Sequence, residues 1–399
     1  MVRRQILTIV LSSMILGGCG DDVPPPATDD GASSSGGEGA SAGASDSGTG
    51  TADETGTGGT PESPYDGEPL PLVTDGEWHW IDIDGMRCAD GRPSGVGVRA
   101  VEGSTKLALY FKGGGACFNA TSCAISASLM LTGTDAIADN PEGILEFGRE
   151  ENPLNDYNVI YFPYCTGDIH SGTVSGAQLD GVPTPWDFVG RDNVLAALDR
   201  IGPTFPNPEQ LAVIGTSAGG LGALTNFPKI AEGWPNTPTV LLDDSGLIFR
   251  DEYLRPCLQQ QMRTAWGLAE SLPACEACTK ADGGGLAQLF VWLTDTYPDT
   301  RFGVIGANRD QIVRIFFGFG NDDCAASAGL PDLGAERLTE ALDDLQTEVL
   351  AGRVSSYIID GETHTWTTTP LFYTTTSGGV SMRDWVSDFL ATGAGDVAP

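Results

Sequence analysis

Ser217 stands in Gly215-Thr216-Ser217-Ala218-Gly219, a G-x-S-x-G pattern. The apolar run Leu211-Ala212-Val213-Ile214 precedes it, and an Ala/Leu/Gly-rich segment follows. A serine between small residues, where a strand turns sharply into a helix, presents its hydroxyl at the tip of a tight bend. The amides at the start of that helix then face any negative charge that develops nearby. This pattern points to nucleophilic attack on a carbonyl. The plainer alternative is a glycine-rich turn that only packs closely.

A serine hydroxyl needs a general base. The chain has three histidines, His79, His170 and His364. His79 lies in EWHWIDI between tryptophans, where packing or a polar cap is expected. His170, in YCTGDIHSG, follows an apolar run and is a candidate for lining a pocket. His364, in IIDGETHTW, follows the last strand-like run. In α/β-hydrolases the chain order is serine, acid, histidine, with the histidine after the final strand. His364 fits that order. The acid should follow the preceding strand, and TRFGVIGANRDQ supplies Asp310 there. Asp244, at the end of TVLLDD, is the alternative acid. The alternative role for Asp310 is capping a helix that begins near Gln311. A third requirement is a set of donors for the oxyanion. The run Gly113-Gly114-Gly115 follows the strand-like KLALYF, where the hydrolase fold builds part of that hole.

These residues need a scaffold that brings separate loops to one edge. Strand-like runs at 106–111, 156–164, 211–215, 239–244, 300–307 and 354–360 alternate with helical patterns such as 193–201, 334–350 and 381–390. That alternation predicts an α/β fold with a mainly parallel sheet and helices on both faces. A long insertion, about 245–299, carries two helical patterns, 251–272 and 285–297, and the cysteines Cys275 and Cys278. Long insertions are often functional, and this one is expected to form a cap over a pocket.

The segments FKGGGACFN, YCTGDIHSG, GTSAGG and DDSG, with Asp310-Gln311 and His364, resemble the pectin acetylesterase/Notum family of carboxylesterases. The resemblance runs over roughly residues 76–366. It implies an α/β-hydrolase-like fold with Ser217, Asp310 and His364 as the triad. It also implies Gly114, Gly115 and Ala218 as oxyanion donors, and disulfides Cys88–Cys165 and Cys117–Cys123. The chain departs from the family at Lys112, where an acidic residue is common. It departs again at Ala116, where an aromatic ring is usual. Ala116 is therefore a candidate pocket residue, and the missing ring is expected to reshape the acyl site.

The N-terminus adds a location. MVRRQILTIVLSSMILGGC has two arginines, an apolar run and small residues before Cys19. This reads as a secretory leader over residues 1–18 ending at a bacterial lipobox, with Cys19 lipidated. Residues 19–68 are rich in Gly, Ser, Thr and acids, with no Lys or Arg, and read as a disordered tether. Residues 69–399 are then the catalytic domain. The eight cysteines after Cys19 are an even set, which in an exported chain predicts disulfides. The pairing of Cys257, Cys275, Cys278 and Cys324 stays open.

The chain has a formal net charge of −33, and the domain keeps about −24 once leader and tether are set aside. Such a charge repels nucleic acid and anionic polymers at long range. No nucleic-acid partner is expected, and membrane contact is expected only through the lipid anchor. No metal or organic cofactor is needed for the chemistry. The expectation is an extracytoplasmic serine carboxylesterase that removes acetyl or short acyl groups from a polysaccharide. The alternatives are a lipid or short-chain deacylase on the same residues, and an inactive hydrolase-fold protein that binds surfaces.

Overall fold

The structure is a computed structural model that describes residues 63–127, 137, 142–325 and 329–399. The leader, Cys19 and nearly all of the tether lie outside the described residues. Among the described residues, eight strands form the central sheet: β1 (Asp75–Arg87), β2 (Pro93–Val101), β3 (Lys106–Phe111), β4 (Tyr157–Phe162), β5 (Gln210–Thr216), β6 (Thr239–Asp244), β7 (Arg301–Ala307) and β8 (Val354–Ile359). Their spatial order is β1-β2-β4-β3-β5-β6-β7-β8. β2 runs antiparallel to both its neighbours, and the six strands from β4 to β8 are mutually parallel.

The parallel strands read as continuous apolar runs because both faces are covered. Alternate residues serve opposite layers. Leu107, Leu109 and Phe111 of β3 join one core, while Ala108 and Tyr110 join the other. The first core takes in Val194 and Leu198 of helix α1 (Gly190–Thr204) and Leu224 and Phe227 of α2 (Ala218–Gly233). The second holds Trp385 and Phe389 of the C-terminal helix Met382–Ala391. This is the α/β-hydrolase-like arrangement, with helices on both faces.

The insertion is helical but divided. The expected helix over 251–272 begins only at Pro256, in α3 (Pro256–Trp266), because Arg255 is extended and proline favours the first helical turn. It ends at Gly267, whose φ of 68° is the left-handed C-terminal stop. A disulfide then closes Cys275–Cys278, and α4 (Gln288–Thr296) returns the chain to the sheet. Trp266 ties the insertion down: it is fully buried, and its indole donates to the Cys117 carbonyl at 2.7 Å. A second disulfide, Cys257–Cys324, joins the start of α3 to the segment beyond α5 (Gln311–Gly318). Cys88–Cys165 and Cys117–Cys123 are also paired. The helical pattern over 334–350 divides as well, into α6 (Ala335–Asp344) and a π-helical turn, Leu345–Leu350.

The β1–β2 hairpin has no counterpart among the expected strands. Pro93, Gly95 and Gly97 interrupt the usual strand composition of β2. Gly95 has a packing reason, since a Cβ there would lie 2.0 Å from the Ile81 carbonyl oxygen across the hairpin.

Candidate active site

The parallel strands all end on one edge of the sheet, and the chemistry-bearing residues follow directly from those ends. Gly113–Gly115 follow β3, Ser217 follows β5, Ser245 follows β6, Asp310 follows β7 and His364 follows β8. Open α/β sheets collect ligands in the crevice beyond the carboxyl ends of their strands.

Ser217 sits on a strained bend. Its φ of 57° and ψ of −124° lie where side-chain-bearing residues are rarely found, at a cost of about 1–3 kcal/mol. Surrounding hydrogen bonds hold it there. Its N–H donates to the Asp244 carbonyl at 2.7 Å, and its own carbonyl accepts from Gly220 N–H at 2.9 Å. The bend demands glycine beside it, because a Cβ on Gly219 would lie 2.0 Å from the Phe111 carbonyl oxygen. The glycine run passes directly over the same bend. A Cβ on Gly113 would lie 2.2 Å from the Thr216 carbonyl oxygen and 2.8 Å from Ser217 Cβ. Gly114 is half-buried in this loop, and Gly115, with φ of 79°, lines the pocket beside Ser217 and Ala218. Ala218 opens α2, so its N–H is one of the helix amides without an intrahelical acceptor.

Ser217 Oγ is 2.7 Å from His364 Nε2, and His364 Nδ1 is 2.7 Å from Asp310 Oδ2. Fifty-four residues separate this acid from its histidine, and 147 separate the histidine from the serine. The two roles weighed for Asp310 coexist. Oδ1 caps α5 by accepting from Ile312 N–H at 2.9 Å and Val313 N–H at 3.0 Å. Oδ2 is left for the imidazole. The carboxylate is buried, whereas the His364 side chain keeps 16 % of its surface exposed. Burial would lower the His364 pKa, but the charge and hydrogen bond of Asp310, with the charge of Asp244, outweigh it and raise the pKa above the ordinary imidazole value. A base in this position works in its neutral form. The acid limb of the pH profile therefore belongs above the ordinary imidazole range, with activity falling as pH drops through it.

Asp244, the alternative acid, makes no hydrogen bond to His364; its carboxylate is taken up by Trp366 and Thr367. His170, expected at the pocket wall, does not line the pocket. It is 3 % exposed, and its Nε2 lies 2.8 Å from the Lys112 carbonyl, under the glycine loop. Phe111 and Tyr164 pack around the ring, and a Cβ on Gly222 would meet it at 2.8 Å. Burial lowers its pKa to about 4, against the pull of the Lys112 carbonyl, so it stays neutral and structural at physiological pH. Its neighbour Ile169 reaches the pocket instead. His79 sits on edge strand β1, 3.0 Å from the Asp75 carboxylate.

Beside Ser217 opens a pocket. Ala116 lines it, as do Gly115 and His364. Much of the rest of the wall comes from the insertion, through Leu254, Met262 and Leu286, and from α5, through Val313, Phe316 and Phe317. Apolar residues at helical spacing carry no mark that separates a pocket wall from a core. Cys257–Cys324 joins the insertion to the segment just beyond α5.

Asp310→Asn tests the orientation of the imidazole. The asparagine oxygen can still cap α5, but its amide turned to Nδ1 would place the imidazole proton on Nε2. That nitrogen could then no longer accept from Ser217. The expected result is a fall of about 10⁴ in kcat with little change in KM or melting temperature, read by steady-state kinetics on a chromogenic ester.

Residues 79–276 match the family model described as Pectinacetylesterase. That span holds the glycine loop and the Ser217 bend; Asp310 and His364 lie beyond it. Palmitoleoyl-protein carboxylesterase NOTUM of Mus musculus is 29 % identical over 205 residues, covering 48 % of this chain and 40 % of that protein. Its Drosophila melanogaster counterpart is 29 % identical over 213 residues, 49 % of this chain and 31 % of that protein. The chain thus spans less than half the length of these curated relatives. The crystal structure of the Wnt deacylase Notum from Drosophila superimposes with a TM-score of 0.62 at 20 % identity, covering 80 % of this chain and 95 % of that one. Over about half its length the chain is thus similar to pectinacetylesterases and to the Notum carboxylesterases, and it shares the fold of the latter.

Proposed function

We propose that this chain is a serine carboxylesterase whose acyl site takes an apolar chain. The observation that carries the reading is the Ser217–His364–Asp310 hydrogen-bond relay opening onto a pocket with almost wholly apolar walls. Ser217 Oγ attacks the ester carbonyl carbon while its proton passes to His364 Nε2. The carbonyl oxygen becomes an oxyanion, held by the N–H groups of Gly114, Gly115 and Ala218. The intermediate collapses, the carbon–oxygen bond to the alcohol breaks, and His364 returns the proton to the leaving alkoxide. Water, deprotonated by His364, then attacks the acyl-serine and releases the carboxylic acid. Asp310 fixes the imidazole tautomer in both halves.

The apolar wall supports the deacylase reading for an acyl chain longer than acetate. The relatives named palmitoleoyl-protein carboxylesterases support it further. The second reading, removal of acetyl groups from a polysaccharide, is supported by the family description. The leader-like residues 1–18, Cys19 and the tether to residue 68 support an extracytoplasmic domain held to a membrane by lipid. Residues 69–399 form the catalytic domain, with 245–299 supplying one side of the acyl site. Labelling with a fluorophosphonate, followed by peptide mapping, tests the reading. One adduct on Ser217 is expected, blocked by heat denaturation; labelling elsewhere, or none, overturns it.

A further inference from the structure

We propose that Asp244 is a positioning residue that holds Ser217 and His364 in register by binding the backbone of both their loops. The proposal rests on the serine-esterase reading above and adds to it a residue outside the relay. Asp244 closes β6, next to the end of β5, and is fully buried. Its main-chain carbonyl accepts the Ser217 N–H at 2.7 Å. Its carboxylate faces the other loop. Oδ2 accepts from Trp366 N–H at 2.9 Å, Thr367 N–H at 2.7 Å and Thr367 Oγ1 at 2.7 Å. Oδ1 accepts from Ser245 Oγ at 3.0 Å, and Ser245 Oγ in turn accepts from Thr365 N–H at 3.3 Å. One residue therefore anchors the strained bend on one side and the three residues after His364 on the other. Thr365 has φ of 66°, a conformation that the loop holds only under restraint.

The adjacent acid differs. Asp243 Oδ1 accepts from Gly246 N–H, but Oδ2 has no hydrogen-bond partner among the described residues. Two neighbouring carboxyls in an apolar core do not both ionise readily. Burial raises both pKa values, that of Asp243 well above the carboxylate range, with the charge of Asp244 adding to it. Four donors favour the charged form on Asp244, and one favours it on Asp243. The negative charge of Asp244 then reaches His364, whose pKa it helps to raise. The other titratable groups near this pair are Asp310 on the cap of α5 and Tyr110 on β3, whose hydroxyl bonds Thr216 Oγ1. Arg314 of α5 lies near both Asp310 and Glu362.

The test compares Asp244→Asn with wild type on a p-nitrophenyl ester across pH, with fluorophosphonate labelling rates alongside. Asp244→Asn is expected to lower kcat on the order of 10²-fold with KM within a few-fold, since a small misplacement of a catalytic pair costs that much. Its acid limb is expected to move down by ~0.5 pH unit, because removing a negative charge lowers the imidazole pKa. A merely structural role would leave that limb in place. Should Asp244→Asn fail to fold, Thr367→Val and Thr367→Ser decide. The valine is expected to slow labelling ~10-fold, the cost of a hydrogen bond to a charged group, and the serine to restore it. An unmoved acid limb in folded Asp244→Asn, or Thr367→Val labelling at the wild-type rate, overturns the proposal while the esterase reading stands. A wild-type chain that hydrolyses esters without needing Ser217 overturns the esterase reading itself.

Discussion

Ser217→Ala is expected to lower kcat about 10⁶-fold and to leave KM nearly unchanged. Removing the nucleophile of such a unit costs as much as removing the whole relay, and only oxyanion and binding contributions remain. The loss reflects chemistry and not folding. The Oγ–His364 bond lies at a half-buried site, while the hydrogen bonds that hold the bend are main-chain bonds from residue 217 itself. Alanine keeps those. The melting temperature should therefore shift by only a few degrees, the effect of about 1 kcal/mol in a domain of this size. Both quantities come from one preparation, by steady-state kinetics and thermal denaturation. Residual turnover above a hundredth of wild type, with no trace of contaminating esterase, would remove Ser217 from the mechanism. The inactive surface-binding alternative is tested at the same time, because such a protein shows no turnover to lose.

The parts of this site that were legible in the sequence are those where backbone crowding dictates residue type. Gly219 and Gly113 are glycines because carbonyl oxygens of Phe111 and Thr216 occupy the space of a side chain. The bend and the loop above it therefore leave a local signature. Asp310 was legible because a strand end, a helix cap and an acid coincide within a few residues. His364 came from chain order, with three histidines to choose from. His170 misled because a polar loop residue after a strand looks accessible; its packing against Gly222 is a long-range fact with no local mark. The same holds for Asp244, whose partners lie 122 and 123 residues away. The pocket wall was illegible for a different reason. Met262 and Phe316 have the spacing and chemistry of core residues, and only the tertiary arrangement leaves space between them.

The deacylase reading rests on that space, and under it a ladder of p-nitrophenyl esters from acetate to octanoate is expected to show kcat/KM rising with chain length. Each buried methylene contributes about 0.8 kcal/mol, so the six that separate octanoate from acetate supply up to roughly 5 kcal/mol, or ~10³-fold. The gain appears in kcat/KM to the extent that the chain stays seated in the transition state. Met262→Trp places an indole in the wall supplied by the insertion. It is expected to reduce octanoate turnover to near the acetate level while acetate turnover stays within a few-fold of wild type. Overfilling such a wall costs about 1–3 kcal/mol of stability, which a thermal denaturation curve registers separately from the selectivity. A flat ladder would instead favour the acetyl reading, because an acetyl group uses only the glycine loop and the Ala116 end of the pocket. Acetylated xylan then becomes the substrate to compare, and its turnover above that of octanoate would turn the assignment toward glycan deacetylation.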